Sequence, residues 1–222
     1  MAQRSKLTLG YSPYDSYGTS IEPFDKVFSN KQDVKKEGFK NIDCLVLWGG
    51  TDIHPSYYKQ KRHPWSGASE FPSERDVFEW KAVLYCKAKN IPIIGVCRGA
   101  QLLCAAAGGS LVQHMQGHGH DHNITTSTGQ TVKTTSVHHQ MMIPFKVPHT
   151  MIAWSEQPRC SSYEGENGQP IHEMFQRPEP EIVYFPEIRG LAIQGHPEYG
   201  NATKDFVNLC NQLVVDYLLP PF

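Results

Sequence analysis

Residues 91–101 read Ile-Pro-Ile-Ile-Gly-Val-Cys-Arg-Gly-Ala-Gln, and this stretch constrains the fold more than any other. A short, β-branched apolar run closes on Gly95-x-Cys97-x-Gly99 and leads into an Ala/Leu-rich run from Ala100 to Ala107. The pattern predicts a buried strand, a tight turn and a helix, with Cys97 at the apex of the turn, as in a nucleophile elbow. Glycine suits both flanking positions, because backbone and helix approach closely there and a Cβ would clash. The helix N-terminus turns its free N–H groups and the positive end of its dipole toward the sulfur, which favours the reactive thiolate. The plainer reading, a buried core thiol on a strand, fits poorly with a Cys held between two glycines at a strand–helix boundary.

At 222 residues and 39% hydrophobic content the chain can bury a sizeable core, and we expect a single domain over residues 1–222. A net charge of −1 implies no broad attraction to nucleic acid. Six cysteines occur without a CxxC pair, and Cys44, Cys86, Cys104 and Cys210 fall within apolar or helical runs. They read as reduced core thiols in a reducing compartment, so a cytoplasmic location is expected. Met1–Ser5 lacks the apolar core of a secretory signal, and no run reaches the ~20 apolar residues of a membrane span.

Further along the chain, Lys6–Tyr11 predicts a first strand, Ser12–Glu22 a loop, and Asp25–Phe39 a weak helix ended by Gly38. Ile42–Trp48, closed by Gly49-Gly50, reads as a buried parallel strand. Tyr57–Phe71 predicts a surface excursion. Ser73 and Asp76 form a capping box for a helix running to Lys89. Residues 123–154 predict antiparallel strands and turns. Ile182–Phe185 and Leu191–Gln194 predict a hairpin, and Asn201–Leu219 a final helix ended by Pro220-Pro221. The alternation predicts an α/β fold: a flavodoxin-like open, mostly parallel sheet with helices on both faces and a site at the carboxyl ends of its strands.

A nucleophilic Cys needs a base, and the base needs an orienting partner. Among 11 histidines, His196 stands out. Gln194-Gly195-His196-Pro197-Glu198 follows the apolar strand Leu191–Ile193, which predicts His196 at a strand's carboxyl end near Cys97. Glu198 can then fix its tautomer.

Three motifs together resemble class I glutamine amidotransferase domains: Gly95-Val96-Cys97-Arg98-Gly99-Ala100-Gln101, Ser136-Val137-His138-His139-Gln140, and Gln194-Gly195-His196-Pro197-Glu198. Leu47-Trp48-Gly49-Gly50-Thr51-Asp52-Ile53-His54-Pro55-x-x-Tyr58 and Arg75-Asp76-x-x-Glu79 resemble the gamma-glutamyl hydrolase branch, which includes enzymes cleaving gamma-glutamyl-GABA. The resemblance spans roughly residues 42–200. It implies that Cys97 attacks the gamma-carbonyl of a glutamyl amide, while His196 protonates the leaving amine and then activates water, oriented by Glu198. It implies an oxyanion hole from Gly50 and the Arg98 amide. It also implies a substrate-binding set of Gly49, Gln101, Ser136, Val137 and His138, with Gln101 and the Ser136–Val137 backbone on the glutamyl α-carboxylate and α-amino groups. The expected partner is a small gamma-glutamyl substrate, with no cofactor, nucleic acid or membrane, and homo-oligomerisation is left open. A glutaminase subunit serving a separate synthetase is the alternative.

Two departures stand out. Gly195 replaces the aromatic residue usual between Gln and His, which predicts a wider pocket or a looser His196. The stretch between the first strand and Ile42 is short, which predicts a reduced strand–helix unit. Tyr57, Tyr58, Trp65 and Phe71 are expected to cover the leaving-amine side. Residues 114–122 read His-Met-Gln-Gly-His-Gly-His-Asp-His. His118, His120 and His122 with Asp121 have metal-ligating chemistry, but their i, i+2 spacing in a Gly-rich run predicts a solvated loop and no metal site.

Overall fold

The computed structural model describes residues 6–14, 22–155 and 159–219. The strands and helices run β1 (Thr8–Tyr11), β2 (Asn30–Asp33), α1 (Val34–Glu37), β3 (Cys44–Leu47), α2 (Glu74–Lys89), β4 (Ile93–Val96) and α3 (Arg98–Ala106) in the first half. There follow β5 (Ser110–Val112), β6 (His114–Met115), β7 (His122–Thr126), β8 (Thr131–Thr134), β9 (Met141–Ile143), β10 (Thr150–Ser155), β11 (Tyr163–Glu164), β12 (Glu179–Phe185), β13 (Gly190–Ile193) and α4 (Lys204–Leu218).

Nine strands form one sheet in the order β2-β1-β3-β4-β13-β12-β10-β7-β8. The first five pair in parallel, in the flavodoxin-like sequence of strand positions. The remaining pairings are antiparallel. The central strands β3, β4 and β13 are buried throughout because both faces are covered. On one face, Val46, Ile94, Val96 and Ile193 pack on Phe206, Cys210 and Val214 of α4. On the other, Leu45, Leu47, Ile93 and Ala192 pack on Val83 and Cys86 of α2 and on the apolar side of α3. This two-sided burial aligns the carboxyl ends of β3, β4 and β13 at one rim.

The expected helix over Asp25–Phe39 is mostly absent. A 3-10 turn spans Phe24–Lys26, then β2 forms, and α1 is only four residues long. β2 reads Asn-Lys-Gln-Asp, a polar edge strand paired only with β1, so it carries no apolar alternation to betray it. Asp33 caps α1 by accepting from the Lys35 and Lys36 amides, and Gly38 ends it at φ +74°. This unit is as short as the sequence suggests. The helix over Glu74–Lys89 carries its capping box between Ser73 and Asp76. The Ser12–Glu22 loop lies largely outside the described residues, as do Met1–Ser5 and Pro220-Pro221. No helix among the described residues is long and apolar enough to cross a membrane.

Candidate active site

Cys97 follows β4 directly and caps α3 with φ 51° and ψ −105°. A non-glycine residue at positive φ is held there only where its surroundings over-determine it. Its amide donates to the Ile193 carbonyl at 2.8 Å, and its carbonyl accepts from the Gln101 amide at 3.1 Å. The flanking glycines have a steric cause. A Cβ on Gly95 would lie 2.5 Å from the Gly99 carbonyl, and one on Gly99 would lie 2.0 Å from the Leu47 oxygen.

The residues after β13 bring His196 to the same rim. Its Nδ1 donates to Glu198 Oε1 at 2.7 Å, and its ring stacks on Tyr199 with centroids 4.2 Å apart. Thr135 clamps the backbone from the other side: its hydroxyl accepts from the His196 amide and donates to the His196 carbonyl, both at 2.8 Å. Burial opposes protonation of His196, but Cys97 and Glu198 outweigh it and lift the imidazole to about 10. Gly49 sits against both candidate reacting residues. A Cβ there would meet His196 Cε1 at 2.8 Å and Cys97 Cβ at 3.4 Å.

The Arg75-Asp76-x-x-Glu79 motif is an internal brace. Arg98 points its buried guanidinium away from the cavity and pairs with Asp76 and Glu79. Arg75 Nε donates to Glu79 Oε1 at 3.0 Å, and Arg75 Nη2 donates to the Trp48 carbonyl at 2.9 Å. The same guanidinium fills the space beside Gly50, whose φ is +138° and whose added Cβ would lie 2.5 Å from Arg75 Nη1. The brace thus ties the loop after β3 to the start of α3.

A cavity of about 320 Å³ opens between these elements. Cys97, His196, Gly50, Gln101, Val137 and His138 line it. Gln101 Nε2 donates to the Gln140 carbonyl at 3.1 Å, and His138 Nδ1 donates to the same oxygen at 2.9 Å. Ser136 is not in the lining; its hydroxyl is spent on the His118 carbonyl. Glu198 and Gly49 are also outside the lining: Glu198 holds His196 Nδ1, and Gly49 packs against His196 and Cys97.

Sequence reasoning missed part of the wall. Thr51, Asp52, Gly67, His139, Gln140 and Tyr199 also line the cavity. Asp52 organises this side: Oδ2 accepts from the Gly67 amide at 2.7 Å, and Oδ1 pairs with His139 Nε2 at 3.1 Å. Its place in Gly-Gly-Thr-Asp was the available signal; nothing local marked Tyr199.

Three expectations need correction. Gly195 does not widen the cavity or loosen His196, because the space its side chain would take is filled: a Cβ would lie 2.1 Å from Thr134 Oγ1 and 2.8 Å from the Thr135 carbonyl. The aromatic side chains of Tyr57–Phe71 do not line the cavity; Gly67 reaches it, while Tyr58 is buried and Trp65 and Phe71 are exposed. The histidine-rich run is not wholly a solvated loop: His120 is exposed, but His118 and His122 are buried and hydrogen-bonded to Glu179 and Glu181 of β12.

The parallel half-sheet, the Cys-bearing elbow and the His–Glu pair at its rim define a class I glutamine amidotransferase-like fold. The chain belongs to the Peptidase C26 family, whose sequence profile matches residues 26–164. It is 33% identical over 115 residues to a provisionally named glutamine amidotransferase of Mycobacterium tuberculosis, covering 49% of this chain and 36% of that protein. It is 38% identical over 79 residues to another from Schizosaccharomyces pombe, covering 36% and 31%. The chain thus spans about a third of the length of these curated relatives. The fold is shared with a glutamine amidotransferase of Thermotoga maritima, at a TM-score of 0.58 and 14% identity over 97% of this chain and 89% of that one. It is also shared with a provisionally named GMP synthase component of Thermoplasma acidophilum, at 0.57 and 15% over 95% and 96%.

Proposed function

We propose that the chain is a cysteine hydrolase of the gamma-glutamyl hydrolase branch, with residues 1–222 forming one amidotransferase-like domain. Cys97 attacks the gamma-carbonyl of a glutamyl amide, forming a C–S bond and a tetrahedral oxyanion. The Gly50 and Arg98 amides receive that oxyanion. His196 gives a proton to the nitrogen as the C–N bond breaks and the amine leaves, and Cys97 is left as a glutamyl thioester. His196 then takes a proton from water, which attacks the thioester. Glutamate departs, and the proton returns to the Cys97–His196 pair. Glu198 holds the imidazole angle throughout. Gln101 and Val137 bind the glutamyl moiety, and the ring of His138 forms part of the cavity wall beside it.

The observation that carries this reading is His196, fixed by Glu198, Tyr199 and Thr135, and sharing one cavity with a Cys held at positive φ. Backbone donors placed in advance of reaction are each worth roughly 3–4 kcal/mol in acyl transfer. The Arg75–Glu79–Arg98 brace ties the loop after β3 to the start of α3, which supports a pre-formed oxyanion site. Free, buried cysteines are compatible with a reducing, cytoplasmic location.

The test offers the chain alone glutamine and a panel of larger gamma-glutamyl amines, with products read by mass spectrometry. Release of glutamate and amine from the larger substrates is expected. Cleavage of glutamine only, and only after a synthetase is added, refutes the hydrolase and makes the chain a glutaminase subunit.

A further inference from the structure

Behind His138 lies a group of buried polar side chains that the proposed hydrolysis does not use. Glu179 and Glu181 sit two residues apart on β12, and both carboxylates lie beside His118. His118 Nε2 donates to Glu179 Oε2 at 2.9 Å. His122 Nε2 donates to Glu181 Oε1 at 2.9 Å. His138 Nδ1 is held by the Gln140 carbonyl. Each of His118, His138 and Glu181 is therefore fixed through one polar atom. The other atoms, His118 Nδ1, His138 Nε2 and Glu181 Oε2, have no hydrogen-bond partner among the described residues. All three side chains are at most 5% exposed, and their ligating atoms lie within 4.8 Å of one another.

Buried polar atoms are ordinarily satisfied, so three unsatisfied ones on side chains whose ligand atoms lie this close call for a common partner. A ligand whose second polar atom is pinned by a carboxylate or carbonyl is also how proteins orient metal-binding side chains. We propose that His118, His138 and Glu181 bind a divalent first-row cation, with zinc the ion best matched to two imidazoles and a carboxylate. Zinc at about 2.0–2.1 Å from each donor needs donors roughly 3.4 Å apart, so donors spread over as much as 4.8 Å must draw together by up to about 1.4 Å on binding. Charge points the same way. The salt bridges to Glu179 and Glu181 come from histidines, and buried charge must be balanced. His122 donates through both ring nitrogens, to the His120 carbonyl and to Glu181, so it is cationic and balances one carboxylate; a dication supplies the remaining positive charge with His118 and His138 neutral. The alternative is a protonated His118 between the two carboxylates, but His118 Nδ1 stands 3.5 Å from Glu181 Oε1, too far for a good hydrogen bond.

A second grouping, His118, Cys160 and Glu179, has similar spacing. It is the weaker set, because Glu179 is already engaged: Oε2 by His118, and Oε1 by the Arg159 amide and the Tyr163 hydroxyl. The site takes only one member of the 114–122 run, which is why spacing within that run did not reveal it. A bound cation would brace the wall of the cavity from behind, through His138.

The test uses untagged full-length protein and its Cys97→Ala variant, so that metal binding is read independently of hydrolysis and of the reactive thiol. Elemental analysis should find about one zinc per chain. After chelation, zinc titration should restore it and raise the melting temperature, and cobalt should give visible bands of low coordination number. Glu181→Gln should abolish uptake, Glu179→Gln should weaken it by about 10–100-fold, and Cys160→Ser should leave it intact. A metal-free chain that takes up no zinc and does not shift its melting temperature overturns the site, and that titration decides even if a variant fails to fold. Zinc retained in Glu181→Gln, or lost in Cys160→Ser, overturns this ligand set.

Discussion

Gly195→Ala is a one-carbon change with a large expected effect. The new Cβ would stand 2.1 Å from Thr134 Oγ1, 2.8 Å from the Thr135 carbonyl and 3.0 Å from Phe206 Cζ. Ordinary contact needs about 3.5 Å or more, so the two segments must separate by roughly 1 Å. The hydroxyl can rotate away, but the Thr135 carbonyl is backbone and cannot. Overpacking of this kind costs about 1–3 kcal/mol, and each kcal/mol lowers the melting temperature of a chain this size by about 2–4 °C. The effect on activity should be larger than stability alone gives, because Thr135 holds the His196 amide and carbonyl. Displacing a catalytic group by about 1 Å can cost 10²-fold. The assays are thermal unfolding and kcat/KM on a gamma-glutamyl amide, for Gly195→Ala, Thr134→Ala and the double variant. Removing Oγ1 relieves the tightest contact, so the double variant should recover part of the loss. A Gly195→Ala protein with unchanged melting temperature and kcat/KM would refute the packing account of this glycine.

Cys97→Ala should abolish turnover, and a glutamine-analogue electrophile should label Cys97 alone, because burial pushes the Cys104 and Cys160 thiols up to about 12; adducts mapped by mass spectrometry to either would contradict this. His196→Ala should remove nearly all activity, and Glu198→Gln should reduce it less, within the ~10²–10⁴-fold range of an acid–base step; a dispensable His196 with an essential His139 would reverse the assignment. Glu79→Gln leaves buried Arg98 with one carboxylate fewer, and losing a partner from a buried pair costs about 3–5 kcal/mol; denaturant unfolding should show that loss, and kcat should fall with it. His196 is raised in the folded state, so its contribution to stability is complete below its unfolded value of 6.5 and is lost as pH rises toward about 10. The stability gap between wild type and His196→Gln should therefore shrink from pH 6.5 to 10, and a widening gap would rule out the raised value.

What the sequence disclosed and what it hid divide along one physical line. β4, its flanking glycines and α3 were legible because each is dictated by near neighbours: an apolar run, two close backbone approaches, a helical run. The capping box of Ser73 and Asp76 is equally local. Hidden features depend on pairing across the chain. β2 is polar because it lies at the sheet's edge, and it takes its conformation from β1 rather than from its own pattern. Asp52 acts through partners 15 and 87 residues away. Glu179 and Glu181 open a strand whose apolar part starts at Ile182, so they read as a turn, and their buried state follows from His118 and His122 about 60 residues earlier.

The same distinction explains why the charged motif on α2 carries more information than its composition suggests. Arg75, Asp76 and Glu79 at i, i+1 and i+4 would ordinarily be a solvated helix face, where such pairs contribute a few tenths of a kcal/mol. Here Asp76 and Glu79 are buried against Arg98, the residue immediately after Cys97, and Arg75 reaches the carbonyl of Trp48, immediately before Gly49. Three ion pairs and the Arg75–Trp48 hydrogen bond thus join the two backbone segments whose amides the proposed reaction needs. A network this costly to desolvate is a poor source of stability. Its geometry makes sense as positioning: it fixes the Gly50 and Arg98 backbone relative to each other before substrate arrives, the condition under which oxyanion donors accelerate acyl transfer.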